Sequence, residues 1–213
     1  MPRKTFMNLP PERQKRIINV SLEEFSQNDF ESASLSAIIS RLNLAKGSFY
    51  RYFESKESLY AYLAGFCREL FTVNTKRLLN APEKEFAEMW LDIFQSFKRY
   101  EAEYPFIIRF WVKSAQDKRL YPKDASEDDA IREKLAMMKE SLSGRADGDG
   151  LRSDIDIGYI SFVILYHLMA LIEYISFTYG IRPDQPVFSP TDEQLREEVH
   201  RFITVLQKGI HSR

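Results

Sequence analysis

Apolar positions recur at three- and four-residue spacing along almost the whole chain, and no segment alternates as a strand would, so the pattern predicts an all-α fold. Pro11 suits a first helical turn, where its missing N–H is not needed. Ile18, Leu22 and Phe25 then form one stripe, ending near Asn28, a residue that tolerates the left-handed conformation. Ser34 is a good cap for a short helix to about Arg41 that turns Leu35, Ile38 and Ile39 inward. Leu42, Asn43 and Leu44 make a turn, and a second short helix from about Ala45 to Tyr52 buries Phe49 and Phe53. Ser55 caps a much longer helix with the stripe Leu59, Leu63, Phe66 and Leu70, which stops before Pro82.

Beyond Pro82 the helices lengthen. Phe86, Trp90, Ile93, Phe94 and Phe97 share one face of a helix ended by Pro105, and Phe106, Phe110 and Trp111 open the next. A polar loop from Gln116 to Ser126 precedes a helix carrying Ile131, Leu135, Met138 and Leu142. After the glycine-rich loop Gly144 to Gly150 comes an apolar helix from about Asp154 to Tyr179, ended by Gly180. Ser189 and Pro190 open a last helix with the stripe Leu195, Val199, Phe202, Ile203 and Leu206. The count is about nine helices.

The apolar run from Ile155 to Tyr179 raises the question of a membrane span. It carries His167 and Glu173 beside Ser161 and Ser176, so no clean stretch of about 20 apolar residues exists, and no membrane partner is expected. The N-terminal stretch has charges but no apolar core of the kind a signal peptide needs, and the single cysteine, Cys67, excludes an intramolecular disulfide; both fit a cytoplasmic location. Net charge is −1, but residues 1–60 hold nine Lys/Arg against seven Asp/Glu. Five of those bases, Arg3, Lys4, Arg13, Lys15 and Arg16, precede Ile17. Such an arm is either a solvated tail or, beside a DNA-reading motif, a phosphate contact.

Two short helices joined by a three-residue turn inside a three-helix bundle have helix-turn-helix geometry. Phe49 and Phe53 would anchor the second helix, leaving Lys46, Ser48, Tyr50, Arg51 and Tyr52 as hydrogen-bond donors on its other faces. Gly47 removes a side chain near the helix N-terminus and lets backbone approach a base edge or a phosphate. Lys56 adds a cation at the same edge. On composition alone, packing by the tyrosines and a solvated charged surface account for these residues equally well.

Their order adds more. Residues 11–60 resemble the DNA-binding domain of the TetR family, and KGSFYRYFESKESLY, Lys46 to Tyr60, is close to that family's signature. The segment Gly150 to Asp156 is similar to the lead into the penultimate helix of many members. The resemblance implies that Ser34, Lys46, Ser48, Tyr50, Tyr52 and Lys56 meet the phosphate backbone, with Lys46, Gly47, Ser48 and Arg51 near base edges. Three departures stand out. Ile39 and Leu42 occupy positions where small residues are usual, Asn43 replaces a turn glycine, and Ala45 replaces a capping Ser or Thr, forgoing about 1 kcal/mol.

The domains expected are a helix-turn-helix domain over 1–60 and a ligand-binding and dimerisation domain over 61–213. The Asp154–Tyr179 helix, apolar nearly all round, needs cover on both sides, and a second copy of the chain would supply one of them. The aromatic residues Trp90, Phe94, Phe97, Phe106, Phe110, Trp111, Tyr159, Phe162 and Tyr166 either fill the core or line a cavity for a small lipophilic effector. His167 and Glu173 need partners in so apolar a helix, and either orient that effector or bond across a dimer interface.

Neither Glu101/Glu103 nor Asp154/Asp156 shares a helix face, and no nucleophile, phosphate loop or metal-ligand spacing accompanies them, so no catalytic residue, metal or cofactor is expected. The resulting expectation is a ligand-responsive regulator, a repressor, that binds a palindromic double-stranded DNA operator as a homodimer. The long helix after Ser55 would act as its lever. The alternative is a helical dimer that acts through protein contacts and keeps a vestigial reading head.

Overall fold

Side-chain caps at the helix starts account for much of the observed element order. The computed structural model describes residues 2–79, 85–115, 117–120, 127–143, 153–179 and 190–208. Among the described residues there are ten α-helices, one short 3-10 turn (Lys118–Leu120) and no strand. The tenth helix is α1, Lys4–Met7, in a stretch whose sequence pattern predicts only a charged arm. Helix α2, Pro11–Gln27, starts on Pro11 as expected. Its C-cap Asn28 is extended (φ −118°, ψ 149°) and not left-handed, because the Asn28 amide side chain instead donates back to Glu24.

Helix α3, Leu35–Arg41, is capped by Ser34, whose hydroxyl accepts from the Ala37 N–H at 3.2 Å. The turn that follows is left-handed at Asn43, φ 52°, so this asparagine does the work of a glycine. Helix α4, Lys46–Tyr50, is a short rod, and Ala45 offers its N-terminus no side-chain cap. Helix α5, Lys56–Leu79, opens on a reciprocal pair: Ser58 N–H donates to the Ser55 hydroxyl at 3.2 Å, and Ser55 N–H donates to the Ser58 hydroxyl at 3.0 Å. Hydrogen bonding to Ser55 holds the Glu57 carboxyl below its usual range.

Helix α6 spans Phe86–Glu103 and α7 spans Ile107–Ala115. Pro105 and Phe106 separate them, and Phe106 sits at φ 71°. Buried Glu101 stabilises that break: its carboxylate oxygens accept from the N–H groups of Phe106 (3.2 Å) and Ile108 (3.0 Å), two amides that α7 leaves unpaired at its start. Helices α8 (Glu127–Ser143), α9 (Ile157–Tyr179) and α10 (Asp192–Lys208) complete the chain. Thr191 and Gln194 form a capping box that opens α10, two residues after the start expected at Ser189. The glycine-rich loop, Gly150 to Arg152, Gly180 and most of the Gln116–Ser126 loop lie outside the described residues.

The expected division at residue 60 falls inside α5. By packing, one unit comprises Met1–Leu70 with Arg99–Leu120, and the other Phe71–Lys98 with helices α8, α9 and α10. The first has Ile17, Leu22, Phe25, Ile38, Phe49, Phe53, Leu59, Leu63 and Phe110 as its dry interior. In the second, Trp90 of α6 meets Phe202 of α10 edge-on at 5.8 Å, and Phe97 meets Phe71 at 5.1 Å. Helix α9 is packed by α8 and α10 and buries Ile164, Leu165, Leu168, Leu171, Ile172 and Ile175. By length and composition alone α9 could cross a membrane. Its buried stripe shows it instead partly enclosed by its neighbours.

Candidate nucleic-acid interface

Helix α4 is held from beneath and open above. Phe49 and Phe53 are fully buried, as the spacing predicts. Under them lies Phe6 of α1, with its ring 4.8 Å from Phe53, 5.2 Å from Tyr62 and 6.4 Å from Tyr52. Backbone bonds complete the attachment: Arg3 N–H donates to the Tyr52 carbonyl at 2.9 Å, and the Thr5 hydroxyl donates to the Arg51 carbonyl. The first residues therefore support the recognition helix, a role that a lone phenylalanine among charges does not advertise.

On the open side Lys46, Gly47, Tyr50 and Arg51 are exposed, and Ser48 is half-buried. Among the described residues neither the Lys46 ammonium nor the Arg51 guanidinium has an ion pair or hydrogen bond. A Cβ added at Gly47 would meet nothing within 4 Å, so the glycine leaves open space on the outer surface and serves no internal packing. Tyr50 stands edge-on to Phe49, 38% exposed. Exposed Ser34 lies at the cap of α3. Arg13 and Arg16 border a surface cleft of about 480 Å³ with Glu12, Ile17, Leu42, Asn43 and Leu44. Ile39 and Leu42, larger than the resemblance would suggest, are both buried.

Two residues of the implied contact set are engaged elsewhere. Tyr52 is buried against Phe6. Lys56 turns toward the loop before α3, donating to the carbonyls of Phe30 (2.6 Å), Glu31 (3.2 Å) and Ala33 (3.1 Å). Three acceptors match the three hydrogens of an ammonium, so the charge is used within the fold.

The residues expected around an effector separate into three settings. Trp90, Phe94 and Phe97 are buried in the second unit. Phe110 belongs to the interior of the first, 5.3 Å from Tyr60 and 6.4 Å from Phe25, and Trp111 is half-buried beside it in α7. Phe162, Tyr166, His167 and Glu173 are exposed on α9. The helix turns 100° per residue, so the positions between its buried ones fall on the outer face. There Tyr159, Phe162, Tyr166, Met169, Tyr174 and Phe177 form an apolar surface, Phe177 being 87% exposed. The His167 Nδ1 atom lies 2.8 Å from the Val163 carbonyl one turn earlier in the same helix. Among the described residues no three His, Cys, Asp or Glu side chains converge on a metal position.

Residues 17–63 match the family model for bacterial regulatory proteins of the tetR family. An uncharacterized HTH-type transcriptional regulator, YdgC, of Bacillus subtilis strain 168 is 38% identical over 52 residues, a segment that is 24% of this chain and 27% of that protein. Over full length, the crystal structure of a TetR family transcriptional regulator from Chloroflexus aurantiacus J-10-FL is similar, with 28% identity, a TM-score of 0.72 and complete coverage of both chains. The fatty acid degradation regulator FadR from Bacillus halodurans shares the fold at 14% identity, with a TM-score of 0.68 over 97% of this chain and all of that one. An all-helical chain with an N-terminal helix-turn-helix defines the class as a helical DNA-binding regulator. Residues 17–63 thus carry a helix-turn-helix segment of the tetR-family type, and the whole chain is similar in fold to a TetR family transcriptional regulator.

Proposed function

We propose that this chain is a cytoplasmic, ligand-responsive repressor that grips a palindromic operator as a homodimer and lets go when a small lipophilic effector binds. The observation that carries the reading is the exposed set Lys46, Gly47, Tyr50 and Arg51, with half-buried Ser48 among them, on a helix anchored by buried Phe49 and Phe53. Cations and hydroxyls on a rigid rod suit phosphates, while Lys46 and Arg51 suit the acceptor pair on guanine. Ser34 adds a hydroxyl at the start of α3.

The outer face of α9 supports the dimer. Aromatic side chains this exposed on a 23-residue helix call for cover, and a two-fold partner gives the pairing a palindrome requires. His167 and Glu173 lie on that face, and we assign them to the interface. Trp90, Phe94 and Phe97 are then the aromatic set left for an effector. Release by 100-fold requires about 2.7 kcal/mol of differential affinity between the two states. The reading assigns the chain no catalytic step.

The test is a salt-titrated binding measurement on duplex DNA selected from a random pool. The expected result is one preferred palindromic sequence and an affinity that falls steeply with salt. Equal, weak retention of every duplex defeats the proposal.

A further inference from the structure

The loop that leads into the helix-turn-helix, residues 28–34, has no regular structure, yet side chains far away in sequence hold it. Lys113 of α7 donates to the Asn28 carbonyl at 2.7 Å and pairs with Asp29 at 3.0 Å. Arg119, in the 3-10 turn after α7, places its guanidinium 4.5 Å from the centre of the Phe30 ring and pairs with Glu31. The Lys56 ammonium is 4.6 Å from the same ring, so Phe30 is contacted by two cations. Asp117 fixes Arg119 in turn, accepting from Nε at 2.8 Å and from a terminal nitrogen at 2.9 Å, while the Tyr60 hydroxyl donates to Asp117 at 3.0 Å. At the far end of the loop Glu24 accepts the Ser34 N–H at 2.7 Å, one residue before α3.

The consequence lies in where α3 begins. Ser34 must present its hydroxyl to Ala37 and its N–H to Glu24 at the same time. A seven-residue loop bearing exposed Asp29, Glu31 and Ser32 would otherwise sample many conformations, each giving α3 a different start. Of the three cations that hold it, only Lys56 lies within the segment that matches the family model.

We propose that Lys113 and Arg119 are positioning residues for DNA reading: they clamp residues 28–34, set the start of α3, and so set the geometry of the helix-turn-helix without touching DNA. The inference rests on the DNA-reading function proposed above. Displacement of α7 or its 3-10 turn is thereby delivered to the entry of the reading head, a route that needs no contact between effector and DNA-binding residues.

The experiment uses the full chain with Lys113→Met and Arg119→Gln, singly and combined, and Arg119→Lys as the conservative variant. Operator affinity, its salt dependence and amide exchange are measured together. In the double variant, affinity falls by about tenfold, the size expected of indirect coupling. The slope of log K against log salt stays as in wild type, since no phosphate contact is lost. Exchange accelerates at Ser34 and Ala37 while Leu22, Phe53 and Leu63 stay protected, and Arg119→Lys recovers part of the affinity.

Unchanged affinity, a slope reduced by about one contact, or uniform loss of protection through the unit each overturns the proposal. The first means no positioning, the second a direct contact, the third a merely structural role. A wild-type protein that prefers no sequence overturns the regulator reading together with this one, whereas variants that bind as well as a sequence-specific wild type overturn this one alone.

Discussion

The ring of Phe6 lies 4.8 Å from that of Phe53, so a residue of the first helix underpins the end of the recognition motif some 47 positions later. Phe6 is fully buried. Truncation to Ala leaves a cavity beneath α4 and is expected to destabilise the protein by about 3–5 kcal/mol. Urea unfolding measures the loss; a change below about 1 kcal/mol would mean that α1 is an ornament.

Lys46 and Lys56 sit in one signature and are expected to respond oppositely. Lys46→Met should keep the unfolding midpoint and reduce the salt slope of DNA binding by about one phosphate contact. Lys56→Met removes the donor shared by three carbonyls and should lower stability by about 1–3 kcal/mol. A stable Lys56→Met protein with a reduced salt slope would return Lys56 to the DNA surface.

The turn between α3 and α4 tolerates one kind of change. Asn43→Ala, at φ 52°, is expected to lose about 1 kcal/mol, and Asn43→Gly to change little. Ala45→Ser supplies the absent N-cap and should gain about 0.5–1 kcal/mol. Thermal melts of the three variants check both expectations.

For the proposed dimer, Phe162→Glu with Phe177→Glu puts two charges on the exposed face of α9. Sedimentation should show a monomer with unchanged helicity, and palindrome binding should fail. Persistent dimers would place the interface elsewhere.

Acid sensitivity is expected from Asp117. Burial alone would raise its pKa, but hydrogen bonds from Arg119 and Tyr60 and the guanidinium charge outweigh that and hold it below the usual 3.8. A folded value beneath the unfolded one stabilises the protein above the ordinary carboxyl range, and this stabilisation is lost as pH falls through the lowered value. Asp117→Asn should therefore be less stable than wild type at neutral pH, by about 1–3 kcal/mol, with the gap closing at low pH. A gap that is independent of pH would mean that the carboxylate charge is not what the network uses.

Local rules made most of the fold legible. Helical periodicity, Pro11, Ser34 and Ser55 located the starts of α2, α3 and α5, and the Phe49/Phe53 pair identified the buried side of α4, because caps and periodicity are properties of neighbours in sequence. Asn43 was legible for the same reason: few side chains accept its backbone angle. What the tertiary structure alone decided is where long side chains go. Lys56 bears the mark of a DNA contact in its motif, yet it bonds to a loop some 23 to 26 residues upstream; Lys113 and Arg119 reach that loop from another helix, and Phe6 finds its partners across the bundle. A flexible cation is drawn to whichever acceptors folding brings within reach, and that proximity is a property of the folded chain, invisible in the order of its residues.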